Sequence, residues 1–221
     1  MFTEITIFGA SGTPASFVLI FTAVACATYA YVRYYLHTLE DVIRPNPWSW
    51  GIWGVTTLVE AITYNAFSED WIQSLIFYWS AICCLVVTYK VLRTGKPQWP
   101  TLTEWLSVVA TLAALVVWLV FHETWWAHFI MIVAVPISFF PIWAETWNEP
   151  HKEHNASWVW WSIGDLLAFI LILTRFSGDG RELWYAGVEF ACHFGMLLIV
   201  IGRQSRHGKR ANTLATLSRK R

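Results

Sequence analysis

Ser49-Trp50-Gly51-Ile52-Trp53 opens one apolar run of the chain, and Ser157-Trp158-Val159-Trp160-Trp161 opens another, 108 residues further on. Both read S-W-x-x-W. Upstream of each stands a proline followed by a polar residue, Pro45-Asn46 and Pro150-His151. The chain has 221 residues, so the offset is close to half its length. A motif that returns at such a distance signals an internal duplication. Within each copy, Trp at i and i+3 share a helix face. Such a pair is expected to pin the depth of a helix start at the headgroups, with the Ser capping the first turn.

The surrounding composition fits a lipid environment. Hydrophobic residues make up 56% of the chain and charged residues only 14%, with a mean hydropathy of +0.45 and 16 Trp. A water-soluble domain carries nearer a quarter charged residues. Lys plus Arg equals Asp plus Glu at 15 each, which argues against a basic nucleic-acid binder and against an acidic disordered chain. The four cysteines, Cys26, Cys83, Cys84 and Cys192, sit in apolar runs without C-x-x-C spacing, so neither a disulfide framework nor a zinc site is indicated. Met1 to Pro14 contains no Lys or Arg, so it lacks the basic start of a cleavable signal and the first span is expected to be retained.

A bilayer core takes about 20 apolar residues per helix. Seven runs qualify: Ser16 to Leu36, Trp48 to Asn65, Trp71 to Lys90, Leu102 to Phe121, Trp125 to Ala144, Ser157 to Thr174 and Leu183 to Gly202. Breakers separate several of them, namely Pro45-Asn46-Pro47, Gly95-Lys96-Pro97, Asn148-Glu149-Pro150 and Gly178-Asp179-Gly180. Basic residues then set the orientation. One side collects Arg33, Arg44, Lys90, Arg93, Lys96, Lys152, Arg203, Arg206, Lys209, Arg210, Arg219, Lys220 and Arg221; the other holds only Arg175 and Arg181. The positive-inside rule puts the N-terminus outside and the C-terminus in the cytoplasm. The tail, residues 203–221, reads as a topogenic basic cluster that also meets anionic lipid.

The two motif copies open the second and the sixth spans, so spans one to three match spans five to seven. A single span lies between the triplets, which makes them parallel rather than inverted. The expected fold is an all-α membrane protein of seven transmembrane helices. Residues 1–202 form one domain: repeat one over 16–93, a linker helix over 102–121 and repeat two over 125–202.

This plan resembles the SWEET and PQ-loop superfamily of small-solute transporters. Val135-Pro136-Ile137-Ser138-Phe139-Phe140-Pro141-Ile142-Trp143 is similar to that family's proline-bearing helix, followed by a polar loop, Glu145 to Ala156, and the Ser-Trp start of the next helix. Arg44-Pro45-Asn46-Pro47-Trp48-Ser49-Trp50-Gly51-Ile52-Trp53 looks like a motif of uncharacterised bacterial proteins with the same plan. The resemblance covers about residues 16 to 202. It implies an alternating-access carrier in a bacterial inner membrane, with Pro136 and Pro141 as hinges and a site between the triplets. The chain departs from the pattern where Ile137 replaces the Gln of the Pro-Gln pair, and where the first span carries no proline from Ser16 to Leu36.

Charged groups at membrane depth cost several kcal/mol, so each needs a partner or a task. Glu60 lies in the middle of the second span and Asp165 in the first half of the sixth. The repeat sets Glu60 against Ala168 and Asp165 against Thr57, about one turn apart. Two such acids facing a pseudo-symmetry axis suit a polar substrate or a proton. The alternatives are Tyr64, or Ser/Thr across an interface, for Glu60, and Ser162 or a backbone carbonyl for Asp165. Glu189 and His193, four apart in the seventh span, share a face and can share a proton, or simply satisfy each other. His128 reads as interfacial structure. Trp71, Trp99, Trp125, Trp126, Trp147 and Trp184 fall at span boundaries. Trp53, Trp79, Trp118 and Trp161 lie deeper, where they stack on a ring-shaped solute or fill gaps between helices.

The leading expectation is therefore a carrier of a small polar solute. Its substrate-binding residues are Glu60, Asp165, Trp53 and Trp161; Glu189 and His193 are proton-linked. The alternative is a non-transporting membrane subunit that docks through Trp-rich lateral faces, as a homo-oligomer or within a larger complex. An intramembrane enzyme ranks last, because no nucleophile stands beside Glu189 and His193. No cofactor is indicated: the seventh span has no Lys for a retinal Schiff base, and the loop Glu149-Pro150-His151-Lys152-Glu153-His154 lacks a closed ligand set for a metal.

Overall fold

Seven apolar runs become seven α-helices in the computed structural model, which describes residues 5–7, 10–40, 42, 43, 45, 47–94 and 99–218. The helices are α1 (Pro14–Leu39), α2 (Pro47–Ser68), α3 (Trp71–Thr94), α4 (Leu102–Phe121), α5 (Thr124–Asn148), α6 (Asn155–Thr174) and α7 (Glu182–Ser218). Arg44, Asn46, Gly95, Lys96, Pro97, Arg219, Lys220 and Arg221, which enter the loop and charge readings, lie outside the described residues, as do the side chains of Arg206, Lys209 and Arg210.

Six helices are long and apolar enough to cross a membrane, which gives the chain the architecture of an integral membrane protein. The exception is α2, whose sequence is diluted by Glu60, Asn65 and three threonines. It packs against α3, α4 and α5, and that cover lets it bury polar side chains that lipid would not accept. Local chemistry fixes several helix starts. Thr13 caps α1 ahead of Pro14, and Thr101 forms a capping box with Glu104 at α4.

Two details add to the sequence reading. A short hairpin precedes the all-helical bundle: β1 (Ile5–Ile7) pairs antiparallel with β2 (Ala10–Gly12) before α1. The β-branched Ile5-Thr6-Ile7 favours that extended form. The polar segment after Gly202 continues α7 to Ser218, since it contains no proline and many good helix formers.

Neighbouring helices form a ring in the order α1, α3, α2, α5, α7, α6, which closes back on α1; α4 lies outside, against α2 and α5. At one end Gly12 rests against Arg175 and Ile72. At the other, Arg203 donates to the Trp147 carbonyl and Gln204 to the carbonyls of Pro150 and Glu153. The hairpin and the α7 extension thus mark opposite ends of the bundle, here termed the hairpin end and the tail end.

The α1–α6 crossing depends on small residues. A Cβ on Gly164 would sit 3.3 Å from the Ala23 carbonyl oxygen and 3.5 Å from the Ala27 nitrogen. Those atoms are backbone and cannot swing away, and Ala23 and Ala27 are themselves buried. Gly164→Leu is expected to destabilise the bundle by about 1–3 kcal/mol through overpacking, and Gly164→Ala by less. Thermal unfolding of the two variants in detergent checks this order; an unchanged midpoint for Gly164→Leu would contradict the close crossing.

Candidate functional site

The S-W-x-x-W motifs face the interior of the bundle rather than its outer surface. Trp50, Trp53, Trp158 and Trp161 are all buried, and Trp50 and Trp161 approach across the bundle with ring centroids 6.1 Å apart. Neither serine caps a helix, because each is the third residue of its own. Ser49 donates instead to Glu104 of α4 at 2.8 Å, and His154 caps α6. The indoles expected at boundaries do stay outside: Trp71, Trp99, Trp126, Trp147 and Trp184 are exposed, and Trp125 is half-buried.

Within the ring of six helices lies a cavity of about 40 Å³. That is room for roughly two or three water molecules. All six ring helices supply its wall, through Tyr31, Trp53, Cys84, Ser138, Asp165 and Glu189 among others. Asp165 Oδ2 lies 2.7 Å from His193 Nδ1, which is also 3.5 Å from Glu189 Oε2. Tyr185 donates its hydroxyl to Glu189 Oε1 at 2.8 Å. One imidazole therefore stands between two carboxylates on the wall of a water-sized space. An imidazole placed between two carboxylates can exchange a proton with water in that space, which is the chemistry the set can offer.

Aromatic rings hold His193 in place. Trp161 stacks on it at 5.7 Å, Trp158 lies at 5.8 Å, and Phe139 meets it edge-on at 5.2 Å. Trp53 donates its Nε1 to Ser138 at 2.9 Å. The counterpart nitrogen of Trp161 is buried with no acceptor in the protein, so a bound water or solute oxygen would satisfy it.

Five of the six binding and proton-linked residues expected from sequence meet here: Asp165, Trp53, Trp161, Glu189 and His193. Glu60 does not. It turns to the α2–α5 interface, where its Oε1 lies 2.7 Å from Nδ1 of His128, both side chains having no exposure. Tyr64, Phe67, Trp125 and Tyr185 enclose the His128 ring. The single turn separating Glu60 from Thr57, which does line the cavity, carries the carboxylate to the neighbouring interface. Neither local alternative is used: Tyr64 bonds Gln73 and the Glu182 carbonyl, and Ser162 bonds the Trp158 carbonyl. Trp79 and Trp118 stand away from the cavity wall.

Sequence reasoning missed Tyr185, Ser138 and the embedded role of His128. Tyr185 was detectable, since it precedes Glu189 by four residues on the same helix face. Pro136 and Pro141 lie inside α5, which runs as one helix through both. Among the described residues no cluster of three or more His, Cys, Asp or Glu could hold a metal ion. No known protein family, curated protein or solved structure matches the chain.

Proposed function

We propose that the protein is an alternating-access membrane carrier for a small polar solute, linked to protons and of the SWEET and PQ-loop type. The observation that carries this reading is the Asp165–His193–Glu189 cluster on a hydratable cavity at the junction of the two triplets. The helix neighbourhoods support it. Exchanging α1 with α5, α2 with α6 and α3 with α7 turns every neighbouring pair of the ring into another neighbouring pair. Two like halves around a shared central site are what rocking requires. Pro136 and Pro141 are the proposed hinges of α5, each removing one hydrogen bond from the helix ladder. Trp53 and Trp161 are the proposed flanking walls of the solute site. The described arginines at the hairpin end, Arg175 and Arg181, are few, which favours that end as the outer one in a bacterial inner membrane.

The cavity's size limits the solute in this conformation to something of water or small-cation dimensions; a larger one requires the halves to part. Reconstituted vesicles loaded with a pH-sensitive dye test the proposal. Under an imposed pH gradient, at least one member of a panel of sugars, amino acids and small ammonium ions is expected to change the internal pH faster than in protein-free vesicles. Identical traces with and without protein across the panel would overturn the carrier and leave the docking subunit.

A further inference from the structure

The tail end of the bundle holds a buried carboxyl that the central site does not use. Glu153 follows the single 3-10 turn Pro150–Lys152 and precedes α6, yet it is buried. Tyr34 of α1 donates its hydroxyl to Glu153 Oε1 at 3.0 Å, and Trp158 of α6 donates its indole N–H to Oε2 at 3.0 Å. Gln204 of α7 holds the Glu153 carbonyl at 2.9 Å. One side chain thus ties α1 to α6, and its backbone ties both to α7.

Glu153 also lines a second, smaller cavity of about 10 Å³ at this end, with Pro45, Ser49, Glu145 and Lys152. Among the described residues, Trp50 alone lines both this space and the central cavity. Trp50 is packed on Tyr34, with ring centroids 4.7 Å apart. Trp158, the other partner of Glu153, lies directly on the central cavity wall. Releasing Glu153 therefore frees both the backing of the Trp50 partition and a wall residue of the site. We propose that Glu153, gripped by Tyr34 and Trp158, is a proton-binding site of this protein whose occupancy decides whether the tail end of the central cavity is closed. The proposal rests on the carrier reading for its purpose, and on the geometry of this bolt for its existence.

The sign follows from the surroundings. Burial, with a smaller contribution from Glu145, pushes the Glu153 carboxyl up to about 7, against the two donors Trp158 and Tyr34. Among the described residues, the other charged groups nearby have partners of their own. Lys152 pairs with Glu145 at 2.9 Å and with Glu149 at 3.1 Å. The His154 ring packs on His37, which Arg33 contacts at 3.2 Å. Glu104 accepts from Ser49, and Arg203 is turned to the Trp147 carbonyl. When the end opens, water surrounds the carboxyl and returns it toward the ordinary carboxylate range. The closed form thus binds the proton more tightly, so acid favours closure. That advantage is complete below the ordinary carboxylate range and is lost as pH rises to about 7.

Cys84, a native thiol on the central cavity wall, reports opening. With Cys26, Cys83 and Cys192 replaced by Ala, the rate of its labelling by a charged methanethiosulfonate is measured in lipid nanodiscs. Each rate is divided by the rate of the same protein carrying Glu153→Gln, which cancels the thiol's own titration. The ratio is expected to rise by about tenfold or more between pH 5.5 and 8, as the proton leaves Glu153. Tyr34→Phe keeps the ring on Trp50 and removes one donor to the carboxylate, so it is expected to move the rise to higher pH. A ratio flat within twofold, together with no displacement by Tyr34→Phe, would overturn the proposal. Labelling needs no solute, so vesicles that transport nothing would remove the carrier and leave this result standing. A flat ratio in an active carrier would remove the bolt alone.

Discussion

His128→Leu is expected to destabilise the protein by about 3–5 kcal/mol, the largest effect of any single substitution considered, because it leaves a carboxylate buried without its partner. Glu60 has no exposure, and His128 Nδ1 at 2.7 Å is the cation-capable atom beside it. Glu60 Oε2 and His128 Nε2 have no hydrogen-bond partner of their own, so nothing nearby is placed to take over. Tyr64, one turn from Glu60, is already committed to Gln73 and Glu182. Glu60→Leu combined with His128→Leu removes both polar groups, and apolar packing against Phe67, Trp125 and Tyr185 is expected to restore most of the loss. Thermal or denaturant unfolding of wild type, both single variants and the double variant in lipid nanodiscs gives the comparison. A double variant less stable than His128→Leu would show that the pair stabilises the bundle outright; a single variant as stable as wild type would show that the pair does not hold α2 to α5.

That pair also marks the limit of what the sequence discloses. Hydropathy placed all seven helices, since the length of an apolar run depends on the bilayer alone. Their ends shifted by a few residues, apart from α7, which runs on to Ser218, because polar turns extend a helix beyond the lipid. The lateral order of the helices is another matter. Nothing in the runs of α2 and α5 states that they are neighbours, so Tyr64 in its own helix or an unspecified Ser or Thr across an interface were the partners open to Glu60. Glu189 and His193 were legible because their spacing of four fixes a shared face. Asp165 joins them only through the α6–α7 packing. The duplicated S-W-x-x-W was visible, but its placement was not. Trp is common both at interfaces and in helix contacts, and only packing tells the two apart. Glu153 was hidden for the opposite reason. It stands in a run of His, Lys and Glu that reads as a solvated turn, and its burial comes from Tyr34 and Trp158 on helices far apart in the chain.

If the carrier reading holds, Asp165→Asn is expected to bring proton-linked flux down to the level of protein-free vesicles, with little loss of stability. The amide is nearly isosteric, and the site is not fully buried, with Asp165 retaining 19% side-chain exposure and His193 17%. The fold therefore has a means of tolerating the change that Glu60 and His128 lack. What disappears is the charge. Asp165 is the closer of the two carboxylates to His193, at 2.7 Å against 3.5 Å for Glu189. Without it the imidazole loses its nearest carboxylate partner. Glu189→Gln is expected to be milder, because an amide oxygen still accepts from Tyr185 and the Asp165–His193 contact survives. Flux is compared in the same dye-loaded vesicles, with the thermal midpoint of each variant measured alongside. An Asp165→Asn protein that unfolds no earlier and still moves solute with its pH dependence intact would take Asp165 out of the mechanism. If Glu189→Gln were the more damaging of the two, the proton would belong to the Tyr185–Glu189 side of the cluster instead.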